Sequence, residues 1–274
     1  MTSPQRSKRF SRGSPSSSAS TPTERSSSTG TSTRSARGPS ASARLPRTEP
    51  LSLGRPLLLL NLKAYPGCLG PSAERLARTL EELGKLAGVP VAIAPAMPDL
   101  ARVATAVSIP VLAQHADPLD AGPFTGFVPP AAVEQAGGWG SLVNHSEHPI
   151  SLAHAQDVVH RLQALGLVAV VCARDVRASA RLAALAPPYL AVEPPELIGG
   201  DRAVSTAQPE VVSGAVAAVR SVAPGTLVLC GAGVHDRGDV TRAIELGASG
   251  VLVASAVTRA ADPKSALAEL LAGF

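Results

Sequence analysis

The sequence predicts a closed barrel of eight parallel β-strands, each followed by an α-helix, the (β/α)₈ arrangement. From Leu57 onward, eight short aliphatic runs alternate with stretches rich in Ala, Leu, Arg and Glu that have helical period. The runs are aliphatic on both faces, as a parallel sheet covered on both sides requires. Eight such units share the 224 residues from 51 to 274, about 28 residues each. An open, doubly wound sheet is the competing topology.

The predicted elements alternate along the whole of this region. The strands are predicted at Leu57–Leu62, Val89–Ala94, Pro110–Gln114, Ser141–Asn144, Val168–Cys172, Leu190–Glu193, Thr226–Cys230 and Gly250–Val253. The helices are predicted at Ala73–Leu86, Pro98–Val107, Pro130–Ala136, Leu152–Leu165, Arg177–Leu185, Pro209–Val222, Asp239–Leu246 and Pro263–Leu271. Gly84, Gly166 and Gly247 fall near helix ends, where a left-handed residue can close the last turn. Because only 3% of the residues are aromatic, Val, Leu, Ile and Ala are expected to fill the barrel interior.

The first 50 residues differ sharply in composition from the rest. They hold 15 Ser, 7 Thr, 8 Arg and 1 Lys against 2 Glu, with Phe10 as the only aromatic residue. Such a segment has too little apolar surface to offset the entropy of ordering it. We therefore predict a disordered tail over 1–50 and a single barrel domain over 51–274. The Arg- and Ser-rich start also matches the composition of an organelle transit peptide, but a plain tail or an over-long gene model is favoured.

The charge distribution argues against a nucleic-acid partner. The chain carries a formal charge of +4, but residues 1–50 supply 9 of its 25 basic residues and only 2 of its 21 acidic ones. Residues 51–274 therefore carry about −3, whereas a nucleic-acid-binding face would be basic.

The number of cysteines and the hydropathy of the chain indicate where in the cell the protein is expected. Three cysteines, with no signal-like apolar stretch near the start, argue against a disulfide scaffold. No apolar run approaches the roughly 20 residues that span a bilayer. We expect a soluble, cytoplasmic protein without a membrane partner.

Functional residues in this type of barrel stand just after the carboxyl ends of the strands. Polar residues occupy several of these positions, namely Asn61, Lys63, Gln114, His115, Asn144, His145, Ser146, Glu147 and Glu193. Small residues follow the last two strands, at Gly231, Gly233, Ala254 and Ser255. Backbone N–H groups at small residues can approach phosphate oxygens closely. The pattern predicts a phosphate site beside one lysine, one histidine and one glutamate.

Five motifs resemble those of the triosephosphate isomerase family, in its short archaeal branch. They are Asn61-Leu62-Lys63, Asn144-His145-Ser146-Glu147, the segment from Ala191 to Gly199, Cys230-Gly231-Ala232-Gly233 and Ala254-Ser255. The resemblance covers roughly Leu57 to Leu271, in the right order and at barrel-compatible spacings. It implies a TIM barrel and an enzyme of glycolysis and gluconeogenesis that interconverts dihydroxyacetone phosphate and D-glyceraldehyde 3-phosphate.

The resemblance also implies a role for each matching residue. Glu193 matches the general base that moves a proton between C1 and C2, and His145 matches the electrophile that polarises the carbonyl. Lys63 and Asn61 match the pair that positions the substrate and stabilises developing negative charge. The phosphate-contacting positions are matched by Ile198, Gly233, Ala254 and Ser255, with Gly199 and Gly231 beside them. Neither a metal nor an organic cofactor is expected.

General chemistry agrees with these roles. Abstracting a proton α to a carbonyl needs a base, a donor aimed at the developing enediolate oxygen and nearby positive charge. Glu193, His145 and Lys63 supply these groups. A structural ion pair with Glu147 is the alternative for Lys63. His145 and His148 stand three apart, but no cysteine or third histidine has matching metal-ligand spacing. We expect His115 to anchor a loop.

The segment 194–204 matches the family's mobile lid, whose closure excludes water. The family usually reads Ile-Gly-Thr-Gly, whereas this chain reads Ile198-Gly199-Gly200-Asp201, followed by Arg202. A carboxylate within a few ångströms of the substrate phosphate would repel it. We therefore expect the Asp201 carboxylate to point to solvent or to pair with Arg202.

Two other functions remain open at this point. One is a catalytically weakened paralogue that binds a sugar phosphate as a sensor or scaffold. The other is a different phosphate-binding barrel enzyme, although no lysine on a middle strand suits a Schiff-base aldolase and no opposed acids suit an epimerase. Phe124-Thr125-Gly126 matches the segment that enters a neighbour's active site in many family members, so we expect a homo-oligomer, a dimer or a tetramer.

Overall fold

The computed structural model describes residues 53–197 and 203–274. The predicted tail, 1–50, lies outside these residues. Eight strands are found in the described part, at β1 Leu57–Asn61, β2 Val91–Ala94, β3 Leu112–Ala113, β4 Gly140–Val143, β5 Val168–Ala173, β6 Tyr189–Val192, β7 Leu227–Cys230 and β8 Gly250–Val253. Each predicted strand is confirmed, with ends that coincide or differ by one or two residues.

The strands form one parallel sheet in the order β2-β1-β8-β7-β6-β5-β4-β3. The two outer strands, β2 and β3, meet through a single bridge between Ile93 and Val111. Ile93 N donates a hydrogen bond to Pro110 O across this junction at 3.0 Å. The sheet therefore closes into the predicted barrel, and its seam lies between β2 and β3.

The helices surround this sheet. Those within the described residues are α1 Pro71–Ala87, α2 Leu100–Ala106, α3 Pro130–Gln135, α4 Leu152–Ala164, α5 Val176–Ala183, α6 Val204–Ala207, α7 Pro209–Val222, α8 Arg237–Glu245, α9 Ser255–Thr258 and α10 Pro263–Leu271, with 3₁₀ turns at Pro66–Cys68, Met97–Asp99 and Pro195–Leu197. The eight predicted helices are confirmed, and α6 and α9 are additional. No helix of the described segments is long and apolar enough to span a bilayer.

Strand residues alternate between two cores, because successive side chains in a strand point to opposite faces. Leu57 and Leu59 pack in one cluster with inward residues of the other strands, while Leu58 and Leu60 pack in the second cluster with the helices. Both faces of β1 are buried, which explains its unbroken aliphatic sequence. The inner cluster is mostly Leu, Val and Ala, as predicted, but Tyr189 and Cys172 also belong to it.

The glycine predicted to close α1 is wrong. Gly84 lies inside α1, and the left-handed residue that closes this helix is Gly88, with φ of 68°. Gly84 is required by packing, since a Cβ there would lie 2.6 Å from Val91 Cγ1. Gly166 and Gly247 do have positive φ, as predicted.

Candidate active site

The predicted polar residues converge at the carboxyl ends of the strands. Asn61 ends β1, His145 lies two residues after β4, and Glu193 directly follows β6. All three side chains are buried. One cleft is lined by these residues together with Lys63, Gly231, Gly233, Val234, Leu252, Val253, Ala254 and Ser255. Eight of the ten predicted site residues thus share a single cleft, and Ile198 and Gly199 lie outside the described residues.

Glu193 and His145 face each other in this cleft. Glu193 is 3% exposed, and its Oε1 lies 3.7 Å from His145 Nε2. Burial raises the pKa of Glu193, while His145, a hydrogen bond from Cys172 and the charge of Lys63 oppose the rise. Its Oε2 has no hydrogen-bond partner among the described residues. The geometry therefore presents a buried carboxylate with an unused acceptor.

The backbone sets the orientation of the His145 ring. His145 Nδ1 accepts a hydrogen bond from Glu147 N at 3.2 Å. An acceptor nitrogen carries no proton, so a neutral ring in this arrangement has its proton on Nε2. The same turn is closed by His148 N donating to His145 O at 2.8 Å. Nε2 is thus the donor that His145 turns toward Glu193 and the cleft.

Asn144 holds this turn in place through side-chain hydrogen bonds. It has a left-handed backbone, with φ of 60°. Its Oδ1 accepts from Ile150 N, and its Nδ2 donates to Cys172 O, both at 3.0 Å. Asn144 therefore ties the His145 turn to the end of β5.

Lys63 contributes the positive charge. Its Nζ lies 2.6 Å from Glu147 Oε1, and its side chain is 11% exposed. The ion pair considered as an alternative for Lys63 is therefore present, and Lys63 nevertheless lines the cleft. Its backbone is left-handed, with φ of 50°. The ion pair and the position in the cleft are therefore compatible.

Gly231 is required by packing as well, a reason that the sequence did not reveal. A Cβ at this position would lie 2.4 Å from Glu193 Cγ. Glycine after β7 therefore makes room for the Glu193 side chain. Gly233 has φ of 67°, a backbone conformation that glycine adopts at no steric cost.

Two other histidines stack on each other beside the cleft. The rings of His115 and His148 have centroids 3.8 Å apart. His115 Nε2 lies 3.1 Å from Asp117 Oδ1, and Asp117 Oδ2 accepts from Val128 N at 2.6 Å. His115 thus contacts the residue that closes the loop after β3. Across 53–197 and 203–274, no three His, Cys, Asp or Glu side chains are grouped to hold a metal ion.

Comparison with known proteins bears directly on this site. The family model for triosephosphate isomerase matches residues 56–272. A triosephosphate isomerase of Methanosarcina acetivorans is 44% identical over 219 residues, which cover 80% of this chain and 99% of the relative. Relatives with the same name from Methanothermus fervidus and Caldivirga maquilingensis are 47% and 45% identical, over 99% and 96% of their own lengths.

The chain belongs to the triosephosphate isomerase family. This confirms the resemblance predicted from the five motifs, including its archaeal character, and the prediction of an isomerase. The match runs through β1 to β8, so every strand that positions a cleft residue lies within it.

Sequence reasoning did not assign three residues that organise this family site. Gln114 contacts Asn61 and Lys63, Cys172 lowers the pKa of Glu193, and Asn144 holds the His145 turn. The positions of Gln114 and Asn144 at strand ends had indicated that both lie near the site. Cys172 had no such signal, because a strand cysteine reads as a small apolar residue.

Proposed function

We propose that this barrel interconverts dihydroxyacetone phosphate and D-glyceraldehyde 3-phosphate through an enediolate, with Glu193 as base and His145 as electrophile. The observation that carries the proposal is the 3.7 Å approach of Glu193 Oε1 to His145 Nε2 within one cleft. A base and a donor this close can act on two adjacent carbons of one small substrate. In each direction Glu193 removes a proton from one carbon and returns it to the other.

Burial supports the role of Glu193. A carboxylate removed from water is a stronger base, because desolvation disfavours its charged form and raises its pKa. Its Oε2 has no hydrogen-bond partner among the described residues, so this oxygen can accept a proton without breaking an existing contact.

His145 and Lys63 would stabilise the enediolate. The Nε2–H of His145 donates to the substrate oxygen as negative charge develops on it, and Lys63 lines the same cleft. Preorganised donors are most effective where water is excluded, and His145 is 7% exposed. Asn61 Oδ1 accepts from Lys63 N at 3.0 Å, which fixes the position of Lys63 relative to β1.

We assign the phosphate to the small residues after β7 and β8. Gly233, Ala254 and Ser255 line the cleft together with Gly231, and their backbone can approach phosphate oxygens. Ile198 and Gly199 are assigned to the same group from the sequence motif alone. Binding energy from a phosphate remote from C1 and C2 holds the substrate in register for proton transfer.

The reaction is tested by a coupled assay with dihydroxyacetone phosphate, repeated in D₂O. We expect turnover without added metal or cofactor, and deuterium on C2 of the glyceraldehyde 3-phosphate formed, because a carboxyl base exchanges its proton with solvent. A purified protein that binds the substrate without turnover would instead favour the weakened paralogue, which no observation here supports.

We also propose a homo-oligomer in the cytoplasm, a dimer or a tetramer. Phe127 is 55% exposed, and Phe124 packs edge-on against it with ring centroids 6.4 Å apart. This pair belongs to the loop after β3, and Thr125, Gly126 and Phe127 line a pocket that reaches Lys63 and His145. A partner subunit would remove these rings from water. Light scattering tests the proposal, and a fully active monomer would contradict it.

A further inference from the structure

We infer that Gln114 is a positioning residue, whose side-chain amide holds Lys63 in its left-handed conformation and so directs the Lys63 ammonium into the cleft. The inference rests on the proposed function, because it gives Gln114 a catalytic effect only through Lys63.

The contacts of Gln114 carry this inference. Gln114 Nε2 lies 3.2 Å from Asn61 Oδ1, 2.9 Å from Lys63 O and 3.0 Å from Ala94 O. A primary amide nitrogen has two hydrogens, so these three oxygens share two donors. The single side chain therefore connects the ends of β1 and β2 from its own position just after β3.

These contacts bracket Lys63 on both sides. Asn61 Oδ1 accepts from both Gln114 Nε2 and Lys63 N, while Lys63 O accepts from Gln114 Nε2. The enclosed residue has φ of 50°. A residue with a Cβ keeps this conformation only where its surroundings hold it there. The ion pair with Glu147 fixes the end of the Lys63 side chain but leaves its backbone free, so Gln114 supplies the constraint.

The position of Gln114 in the barrel strengthens the argument. The seam between β2 and β3 has a single backbone bridge, between Ile93 and Val111. Beyond that bridge, the bond from Gln114 to Ala94 O joins the two strand ends next to the cleft. Ala94 O also accepts from Leu62 N at 3.0 Å. Loss of the amide would therefore loosen the junction of β3 with β2 at Ala94, the residue to which the chain just before Lys63 is bonded.

The test is a double-mutant cycle in the isomerase assay with Gln114→Met, Lys63→Met and the double variant. Methionine keeps the length and volume of glutamine but donates no hydrogen bond. We expect Gln114→Met to lower kcat/KM by about 10²-fold, the order caused by a small misplacement of a catalytic group. In the Lys63→Met background the same change is expected to cost less than about threefold, because coupled residues are not additive.

Gln163→Met is the matched control. Gln163 Nε2 donates to Ala186 O at 3.1 Å on the exposed surface, so this variant loses an amide-to-carbonyl bond away from the cleft. We expect unchanged kcat/KM in both backgrounds. If Gln114→Met does not fold, Gln114→Asn, which keeps an amide on a shorter side chain, replaces it in the same cycle.

The outcomes separate this inference from the proposed function. Equal losses from Gln114→Met in both backgrounds would show a general structural role and overturn the inference, leaving the function intact. Normal kcat/KM for Lys63→Met would overturn the role of Lys63 and the inference together. A crystal structure of Gln114→Met gives a readout independent of activity. We expect Lys63 to leave the left-handed region, and an unchanged φ would contradict the inference.

Discussion

His145 Nε2 and Glu193 Oε1 lie 3.7 Å apart although their strands are not neighbours. His145 follows β4 and Glu193 follows β6, with β5 between them in the sheet. Cys172, near the end of β5, lowers the pKa of Glu193 and so opposes part of the rise that burial causes. The curvature of the barrel therefore brings together two side chains that a flat sheet would hold one strand apart, and the residue between them influences the pKa of Glu193.

Replacing the electrophile should reduce the rate without abolishing it. In His145→Gln the side-chain amide still offers an N–H, but its reach and direction change. We expect kcat to fall by less than the about 10²–10³-fold that loss of a preorganised donor causes. Steady-state kinetics measure this, with His154→Gln, an exposed position on α4, as control. An unaffected His145→Gln enzyme would mean that another group polarises the carbonyl.

The pH dependence of kcat/KM should report the environment of Glu193. Burial raises its pKa above the ordinary value of 4.5, and the hydrogen bond from Cys172 lowers it. Activity should therefore fall as the pH drops through this raised pKa. Cys172→Ala removes the donor, so the acid limb should move to higher pH, while Cys68→Ala should leave it in place. A limb that moves to lower pH in Cys172→Ala would contradict this assignment.

The barrel could be predicted from the sequence because each strand is a buried aliphatic run and each long helix has a clear period. The helices α6 and α9 were missed because each has only four residues, too few to show a period. The closing glycine of α1 was misassigned because Gly84 and Gly88 both suit a helix end in the sequence, and only the structure shows that Gly84 packs on Val91 while Gly88 is left-handed.

The residues that line the cleft could be predicted from the sequence, but the residues that hold them in position could not. The motifs singled out Glu193, His145 and Lys63, because these stand in recognisable strings, and the structure places all three in one cleft. The role of Gln114 depends on Asn61, which is 53 positions earlier in the chain, so it could be read only after folding. Gly231 was assigned to the phosphate because small residues suit phosphate, whereas the clash that any Cβ at this position would make with Glu193 is visible only in the structure.

The buried base should reduce the stability of the protein at neutral pH. Because folding raises the pKa of Glu193, the folded state binds its proton more tightly than the unfolded state does. The resulting stability is present at pH values below about 4.5 and is lost as the pH rises through the folded pKa. Glu193→Gln should therefore raise Tm at pH 7, by about 2–4 °C for each kcal/mol relieved.

Differential scanning calorimetry measures this effect. Glu134→Gln, on the exposed face of α3, is the matched control, and a surface change of this kind stays within about 0.5 kcal/mol. A lower Tm for Glu193→Gln would mean that favourable contacts outweigh the burial of the charge.

Removing the predicted tail should leave the barrel unchanged, whereas a slightly longer deletion should not. A chain that starts at Arg47 keeps Leu53, which is buried and whose N–H donates to Tyr189 Oη at 3.0 Å. We expect wild-type turnover and Tm for this truncation. A chain that starts at Leu57 loses both the hydrogen bond and the buried side chain, at a cost of about 2–5 kcal/mol. Lower activity or a lower Tm in the truncation that starts at Arg47 would show that the tail docks on the barrel.

The most direct test of the account is the turnover of Glu193→Gln in the coupled assay with dihydroxyacetone phosphate, beside wild type and Glu134→Gln. The substitution keeps the shape of the side chain and removes the base, whose contribution is about 10²–10⁴-fold. We predict that kcat falls by at least this order in Glu193→Gln, that affinity for a phosphate-bearing ligand changes little, and that Glu134→Gln behaves as wild type. A normal kcat in Glu193→Gln would contradict the account, because some other group would then move the proton.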